Sequence, residues 1–464
     1  MKNKVNTLLL CDAYKYTHWM QLPKGVTIMR AYIESRGTKL IKIDYTRFFG
    51  LQGFIKDYLE GKVIEEWMIV EAKEILGEVF GTSEYFNETG FRRLLEKHDG
   101  KLPLLIKSVR EGKKVKLKNV LVTVENTDPE FPWLTQWVET MLLRAVWYPK
   151  AVCTISSAAK DLEKKYAEIC GCALNPFFLN DFGARGVSSH ESAEIGGAAH
   201  LVNYLGTDTV EAVRWAKYCY GKTATGYSVF ASEHSTTTIY GRAHELLAYT
   251  NFLTTAPADK IVSIVIDSYD DENAVKNLLG GRLRNIINNR TAPTVFRPDS
   301  GNPVDKSLQV LTWLWDIFGG TVNDNGFKVL NNKVRVIYGD GININSLEEI
   351  LKNLVNHNFS IENIVFGMGG KLLQGVDRDT FMDACKVCSA TVDGEEVEIY
   401  KDPIGDTGKK SKRGKLKLVT INGEYHTVKI EEFPELTDEL VKVFLNGDAL
   451  NLITFAEVRN NAAL

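Results

Sequence analysis

The stretch VRVIYGDGI (334–342), followed closely by SLEEILKNLV (346–355), decides the fold. An apolar, β-branched run stops at Gly339-Asp340-Gly341, and an amphipathic helical pattern begins a few residues later. Two glycines around one acid suit neither a strand nor a helix. They suit a loop that lets a ligand approach the backbone closely. The stretch reads as one βα unit: strand, polar loop, helix.

The unit recurs in both directions. FFLNDFGARG (177–186) and GYSVFASEHST (226–236) each precede a helical pattern. IVSIVIDSYD (261–270) leads into ENAVKNLLGGRL (272–283), and TVFRPDSGNP (294–303) into SLQVLTWLWDIF (307–318). NIVFGMGG (363–370) closes the series. Repeated βα units predict a parallel sheet. Polar residues just past each strand predict a (β/α) barrel-like domain with its site at the C-terminal strand ends. A doubly wound open sheet is the alternative and also binds ligand there.

The expected class is therefore α/β, with the barrel-like domain over 151–379. A mixed α+β domain would be built from 1–150 and completed by 380–464. Within the first part, helices are expected over Tyr45–Lys62 and Ile64–Val79. Pro132-Trp133 opens a long apolar helix, LTQWVETMLLRAVWY (134–148), and a second helix, ISSAAKDLEKKYAEI (155–169), starts the barrel-like part. Near the C-terminus, VEIYKD, KLKLVTING and EYHTVKI read as short strands around a basic loop, GKKSKRGKLK (408–417).

The 464 residues, 44% of them hydrophobic, allow a large core. With 56 Lys+Arg against 59 Asp+Glu, the charge of −3 gives no footprint for bulk nucleic-acid binding. The N-terminus has only a three-leucine run, short of the roughly 7–15 apolar residues of a signal peptide, and no stretch approaches the roughly 18 of a membrane span. No membrane partner is expected, and the cytoplasm is the expected compartment. Seven cysteines fit reduced thiols better than a disulfide framework. Cys385-x-x-Cys388 lacks the second pair a zinc site needs and reads as structural. Gly221-Lys222-Thr223 looks like the end of a phosphate loop, but Ala216 stands where its first glycine should be, so that reading fails.

Ser263, Val265 and Asp267 alternate and should share one strand face, as should Arg297 and Asp299. Such polar residues facing an interior are costly without a ligand or partners. The GMGG stretch, Gly367 to Gly370, and the Gly339-Asp340-Gly341 loop, each after a strand and before a helix, suit a phosphate. With Arg297 they favour a sugar phosphate, Asp340 then suiting ribose hydroxyls. His234, at another strand end, is a further candidate. These readings stop at an α/β protein with a phosphosugar site.

DAYKYTH, GLQ, NDFGARGVSS, GTDT, GYSVFASEHST, DSYD, RPDSGNP, GDGIN, NIVFGMGG and KDP, in this order, closely resemble the nicotinamide phosphoribosyltransferases of the type II phosphoribosyltransferase family. The resemblance covers essentially the whole chain. It implies a homodimer with shared active sites, nicotinamide and phosphoribosyl pyrophosphate as substrates, Mg2+ carried by the pyrophosphate, and ATP as co-substrate. It implies that Phe182 stacks on the nicotinamide ring, with the partner's Tyr14 on the other face and Asp12 nearby. Asp208 would accept a hydrogen bond from the carboxamide, and Arg185, Ser228, Ser263 and Arg297 would line the pocket. Asp299, Gly339, Asp340, Gly369 and Gly370 would hold the phosphoribose. Arg36, Arg378, Lys386, Lys401 and Lys409 would bind pyrophosphate or ATP phosphates. His234 would be the phosphorylated histidine and Asp267 the acid that orients it. Ala184, Phe230 and Met368 depart from the family's usual tyrosine, proline and serine. Nicotinate phosphoribosyltransferase is the nearest alternative, and a non-catalytic nicotinamide- or nucleotide-binding protein is another.

Overall fold

A computed structural model describes residues 5–40, 43–222, 224–403 and 410–463. The chain divides into two units. One comprises Ile155–Trp215 with Thr225–Val376; the other comprises Met1–Thr154, Ala216–Ala224 and Asp377–Leu464.

The first unit is built on seven parallel strands: β1 (Leu179–Asp181), β2 (Gly206–Thr207), β3 (Phe230–Ala231), β4 (Val262–Val265), β5 (Thr294–Arg297), β6 (Val334–Tyr338) and β7 (Ile364–Met368). Their spatial order is β2-β1-β7-β6-β5-β4-β3. Strands 3 to 7 therefore follow one another in space as in sequence, and β1 and β2 continue past β7. At the remaining seam, between β2 and β3, Gly206 makes an isolated parallel bridge with Tyr227. The result is a parallel half-barrel sheet. Strands β4 to β7 are almost wholly buried, as runs rich in Val, Ile and Phe are when both faces are covered.

The quoted unit forms as its sequence implies. β6 stops at Tyr338, Gly341 takes a φ of +68°, and Asn343 caps the helix Ile344–Asn356 through a reciprocal box with Ser346.

The second unit carries a separate antiparallel sheet. Glu395–Glu398, Asp383–Val392, Val26–Ser35, Val120–Asn126, Leu104–Ser108, Val441–Leu445 and Asp448–Ala449 lie side by side in that order. Leu104–Ser108 alternates buried and half-buried residues, with Leu104 and Ile106 packed into a core shared with Phe91, Leu94 and Trp137.

Two sequence expectations change. Tyr45–Arg47 is a strand paired with Lys114–Lys116, and the expected helix begins only at Leu51. The cause is Gly50, at φ +103°, a left-handed residue that ends one element and starts the next. The two helices expected over 134–148 and 155–169 also differ. A short helix, Leu134–Trp137, precedes one continuous helix, Glu139–Cys170, that runs through Pro149. Gly50 makes room for that proline: a Cβ there would come within 2.5 Å of its Cγ. Buried Leu142, Val146, Val152 and Cys153 continue the apolar face across it.

No helix among the described residues is long and apolar enough to cross a membrane. None of the seven cysteines, all among the described residues, is in a disulfide. Cys385 and Cys388 lie in the antiparallel unit's core, where burial pushes both thiols up.

Candidate active site

The half-barrel encloses a cavity of about 660 Å3, lined among others by Phe182, Asp208, Ser228, Phe230, Ser263 and Arg297. Five of the seven strands, β1 to β5, and the segments next to them supply these side chains.

Phe182 follows β1 directly. Its amide donates to Met368 O across the sheet at 3.1 Å. Its ring is seated on bare backbone: a Cβ on Gly367 would come within 2.1 Å of the ring, and one on Gly339 within 3.3 Å. The glycines after β6 and at the end of β7 thus make space for an aromatic plate as well as for a ligand. Asp208 follows β2 and accepts a hydrogen bond from the Ser228 hydroxyl.

Ser263 Oγ and Arg297 Nε are buried and have no hydrogen-bond partner among the described residues. Unmet buried polar atoms carry a desolvation cost that a bound group can relieve. Both belong to residues lining this cavity.

At the strand-end rim lies a second group. His234 opens a short helix after β3, and its Nε2 is 3.2 Å from Asp267 Oδ1. Asp267 Oδ2 accepts from Asp299 N at 2.9 Å and from the Ser300 hydroxyl at 2.5 Å. Tyr338 OH donates to the carbonyls of Ser300 and Gly301 at 3.2 and 3.0 Å, fixing the same loop. Burial, together with the negative charges of Asp340, Asp267 and Asp299, pushes the Tyr338 hydroxyl up to about 12. The rim is therefore an acidic field around one histidine.

The expected shared face of Ser263 and Asp267 is corrected. β4 ends at Val265, so Ser263 faces the cavity while Asp267 lies in the loop and turns to His234. Arg297 is the last residue of β5 and lines the cavity, whereas Asp299 is held by its amide to Asp267. Gly369 packs on Phe182 O, Gly370 on Gly186, Arg185 is exposed, and Asp340 is exposed in its loop.

The remaining expected positions belong to the antiparallel unit. Asp12 Oδ2 accepts from Thr140 Oγ1 at 2.5 Å, and Tyr14 is 59% exposed. Arg36 pairs with Glu34 at 3.0 Å and Arg378 with Asp379 at 2.9 Å. Lys386 Nζ donates to Cys385 O, Lys401 is exposed, and Lys409 lies outside the described residues.

One residue escaped the sequence reading. Asp181, the last of β1, is wholly buried; its Oδ1 accepts from Gly183 N at 2.8 Å and its Oδ2 from Thr207 Oγ1 at 3.2 Å. Burial holds its carboxyl up at about 6, against the opposing pull of these hydrogen bonds. Its place beside Phe182 in NDF was the available signal.

Of the three departures, Phe230 lines the cavity with its ring 5.1 Å from Phe252, Met368 is buried at the end of β7, and Ala184 is exposed.

Residues 177–448 match the nicotinate phosphoribosyltransferase (NAPRTase) family, and residues 6–106 match the nicotinamide phosphoribosyltransferase N-terminal domain. A nicotinamide phosphoribosyltransferase of Xanthomonas campestris pv. campestris is 44% identical over 98% of both chains. One of Acinetobacter baylyi is 33% identical over 100% of this chain and 98% of its own. Among solved structures, nicotinate-nucleotide pyrophosphorylase from Pyrococcus furiosus superposes with a TM-score of 0.65 at 13% identity, covering 100% of this chain and 96% of that one. Human nicotinic acid phosphoribosyltransferase does so with a TM-score of 0.57 at 13% identity, covering 98% and 93%. These two show the fold.

Proposed function

The chain belongs to the nicotinate phosphoribosyltransferase family and carries the N-terminal domain of the nicotinamide enzymes, and on that premise we propose that its half-barrel cavity is a nicotinamide site. The chain is a nicotinamide phosphoribosyltransferase of NAD salvage, forming nicotinamide mononucleotide and pyrophosphate from nicotinamide and phosphoribosyl pyrophosphate.

The observation that carries the site assignment is the grouping of Phe182 with Asp208, Ser263 and Arg297 around one cavity. A flat ring bearing an amide fits it. Phe182 supplies a stacking face. Asp208 accepts from the amide NH2. The unpartnered Arg297 Nε and Ser263 Oγ supply polar contacts to the rest of the group. A nicotinate carboxylate would instead meet the exposed Asp208 carboxylate at the cavity wall as a like charge, without the hydrogen bond that the amide NH2 donates.

The chemistry needs little from acid–base groups. The pyridine nitrogen is already a nucleophile. The anomeric C–O bond breaks, pyrophosphate leaves with the electron pair, and the ring nitrogen forms the new C–N bond. Catalysis is then positioning and electrostatic stabilisation. The acids Asp299 and Asp340 suit ribose hydroxyls, and the backbone of Gly339, Gly369 and Gly370 suits the phosphate. Asp299 and Asp340 are hard carboxylate donors of the kind that could hold Mg2+ carried by the pyrophosphate, and such an ion would supply charge neutralisation for the leaving group. Arg185, exposed beside Phe182, would complete the rim.

We assign ATP coupling to His234 as the phosphate acceptor, with Asp267 holding its ring. Arg36, Arg378, Lys386, Lys401 and Lys409 are assigned to phosphates. The active assembly is proposed to be a cytoplasmic homodimer, with Asp12 and exposed Tyr14 serving the second ring face of a partner's site. The domain reading, a barrel-like domain plus a mixed α+β domain, belongs to this proposal.

The test uses purified protein, phosphoribosyl pyrophosphate, Mg2+ and nicotinamide. Phe182→Ala is expected to raise the nicotinamide KM about tenfold or more through lost stacking and burial. An unchanged KM would remove this cavity as the ring site.

A further inference from the structure

We propose that Asp181 is a positioning residue that sets the distance between the ring-stacking Phe182 and the amide-reading Asp208. The inference rests on the reading of the cavity as the nicotinamide site and goes beyond it, because Asp181 is not among the residues that line the cavity.

The geometry is specific. Phe182 and Asp208 belong to different strand ends, those of β1 and β2. These short strands share only the pairs Asn180–Gly206 and Asp181–Thr207. Past that point the ladder stops, and one further backbone bond, Asp208 N to Asp181 O at 2.9 Å, links the loops. The Asp181 carboxylate supplies the rest. One oxygen holds Gly183 N, the amide just after Phe182, and the other holds Thr207 Oγ1, on the residue just before Asp208. Thr207 Oγ1 in turn accepts from Thr209 N at 3.0 Å, closing the turn around Asp208. One side chain thus ties both arms of the amide-and-ring recognition to each other.

The fold makes room for it at a cost. Gly197, in the helix His190–Leu201, carries no Cβ where one would come within 3.0 Å of Asp181 Oδ2 and 2.6 Å of Ala212 Cβ. A buried acid is a costly choice for stability alone, even when it accepts hydrogen bonds. Its carboxyl is held up near 6 by burial. A neutral amide of the same shape should therefore fold at least as well. Its oxygen can accept from Gly183 N, and its NH2 can donate to the Thr207 hydroxyl.

The test is steady-state kinetics on wild type, Asp181→Ala, Asp181→Asn and Thr207→Val, with melting temperatures measured alongside. Asp181→Ala is expected to raise the nicotinamide KM about tenfold or more by freeing both loops, with the phosphoribosyl pyrophosphate KM within about twofold of wild type. Asp181→Asn should restore most of the loss. Thr207→Val, which cuts one tie without touching the carboxylate, should raise the nicotinamide KM several-fold. If Asp181→Ala fails to fold, Thr207→Val and Asp181→Asn carry the test. A nicotinamide KM unmoved in Thr207→Val overturns the inference, as does an equal rise for both substrates. Wild-type protein that makes no mononucleotide overturns the reading of the site and the inference together. Wild-type turnover with variants unchanged overturns the inference alone.

Discussion

The ring of Phe182 rests on the backbone of Gly367, so closely that a Cβ at that glycine would lie 2.1 Å from the ring edge. Real Cβ contacts do not come so near, so Gly367→Ala must displace the plate or the strand. Overpacking of this kind costs about 1–3 kcal/mol. The expected result is a lower melting temperature and a nicotinamide KM raised more than that for phosphoribosyl pyrophosphate. Wild-type kinetics in the variant would show that the ring can move without consequence.

His234 and Asp267 pair at the strand-end rim, at 3.2 Å. His234→Ala is expected to keep the fold and lose stimulation by ATP. Mononucleotide formation with and without ATP measures this. Equal stimulation in wild type and variant would contradict the phosphohistidine assignment.

Lys150, Asp383 and Ser35 form a wholly buried cluster in the antiparallel unit, with Lys150 Nζ 3.0 Å from Asp383 Oδ2 and 2.8 Å from Ser35 Oγ. Burial pulls the Lys150 amine down from its usual value. Removing one member leaves an unpaired buried charge, so Lys150→Met should cost about 3–5 kcal/mol. The double variant Lys150→Met/Asp383→Leu should regain most of that. Denaturant unfolding of the two variants separates these outcomes, and a double variant no more stable than the single one would refute the argument.

Glu163 accepts from Asn175 N and from Tyr204 OH, and burial raises its carboxyl to about 7, with Lys160 opposing. An acid raised in the fold favours the native state most when protonated. Stability should therefore fall as pH rises from about 4.5 towards 7 and then level off, by about 1–3 kcal/mol. Glu163→Gln removes this slope. Melting curves at pH 5 and pH 8 check it; a variant that loses as much stability as wild type between them would contradict it.

Much of this was legible from residue order. Each apolar run followed by a Gly-rich loop from 334 to 370 became a strand and its site loop, because period and turn chemistry agree there. Phe182, Asp208 and His234 are carried by motifs with recognisable neighbours. What was not legible depends on tertiary packing. Pro149 reads as a boundary, yet the helix Glu139–Cys170 continues because Gly50 leaves space for the ring. Tyr45–Arg47 carries a helical pattern but finds a strand partner about 70 residues away in Lys114–Lys116. Asp267 continues the alternation of β4, but the strand ends two residues earlier, so its side chain serves His234 and not the cavity. Asp181 has only its place beside Phe182 in NDF to mark it: its partners lie in a turn and on a second strand, and their meeting makes it matter.

The central claim is that Asp208, set against Phe182, selects an amide over an acid. The most direct test is the ratio of kcat/KM for nicotinamide over nicotinate, measured with phosphoribosyl pyrophosphate and Mg2+ in wild type and in Asp208→Ser. The account predicts mononucleotide from nicotinamide in strong preference, and a ratio that falls at least about tenfold in the variant as the like-charge barrier is removed. A wild type that prefers nicotinate, or a ratio unchanged in Asp208→Ser, would contradict it.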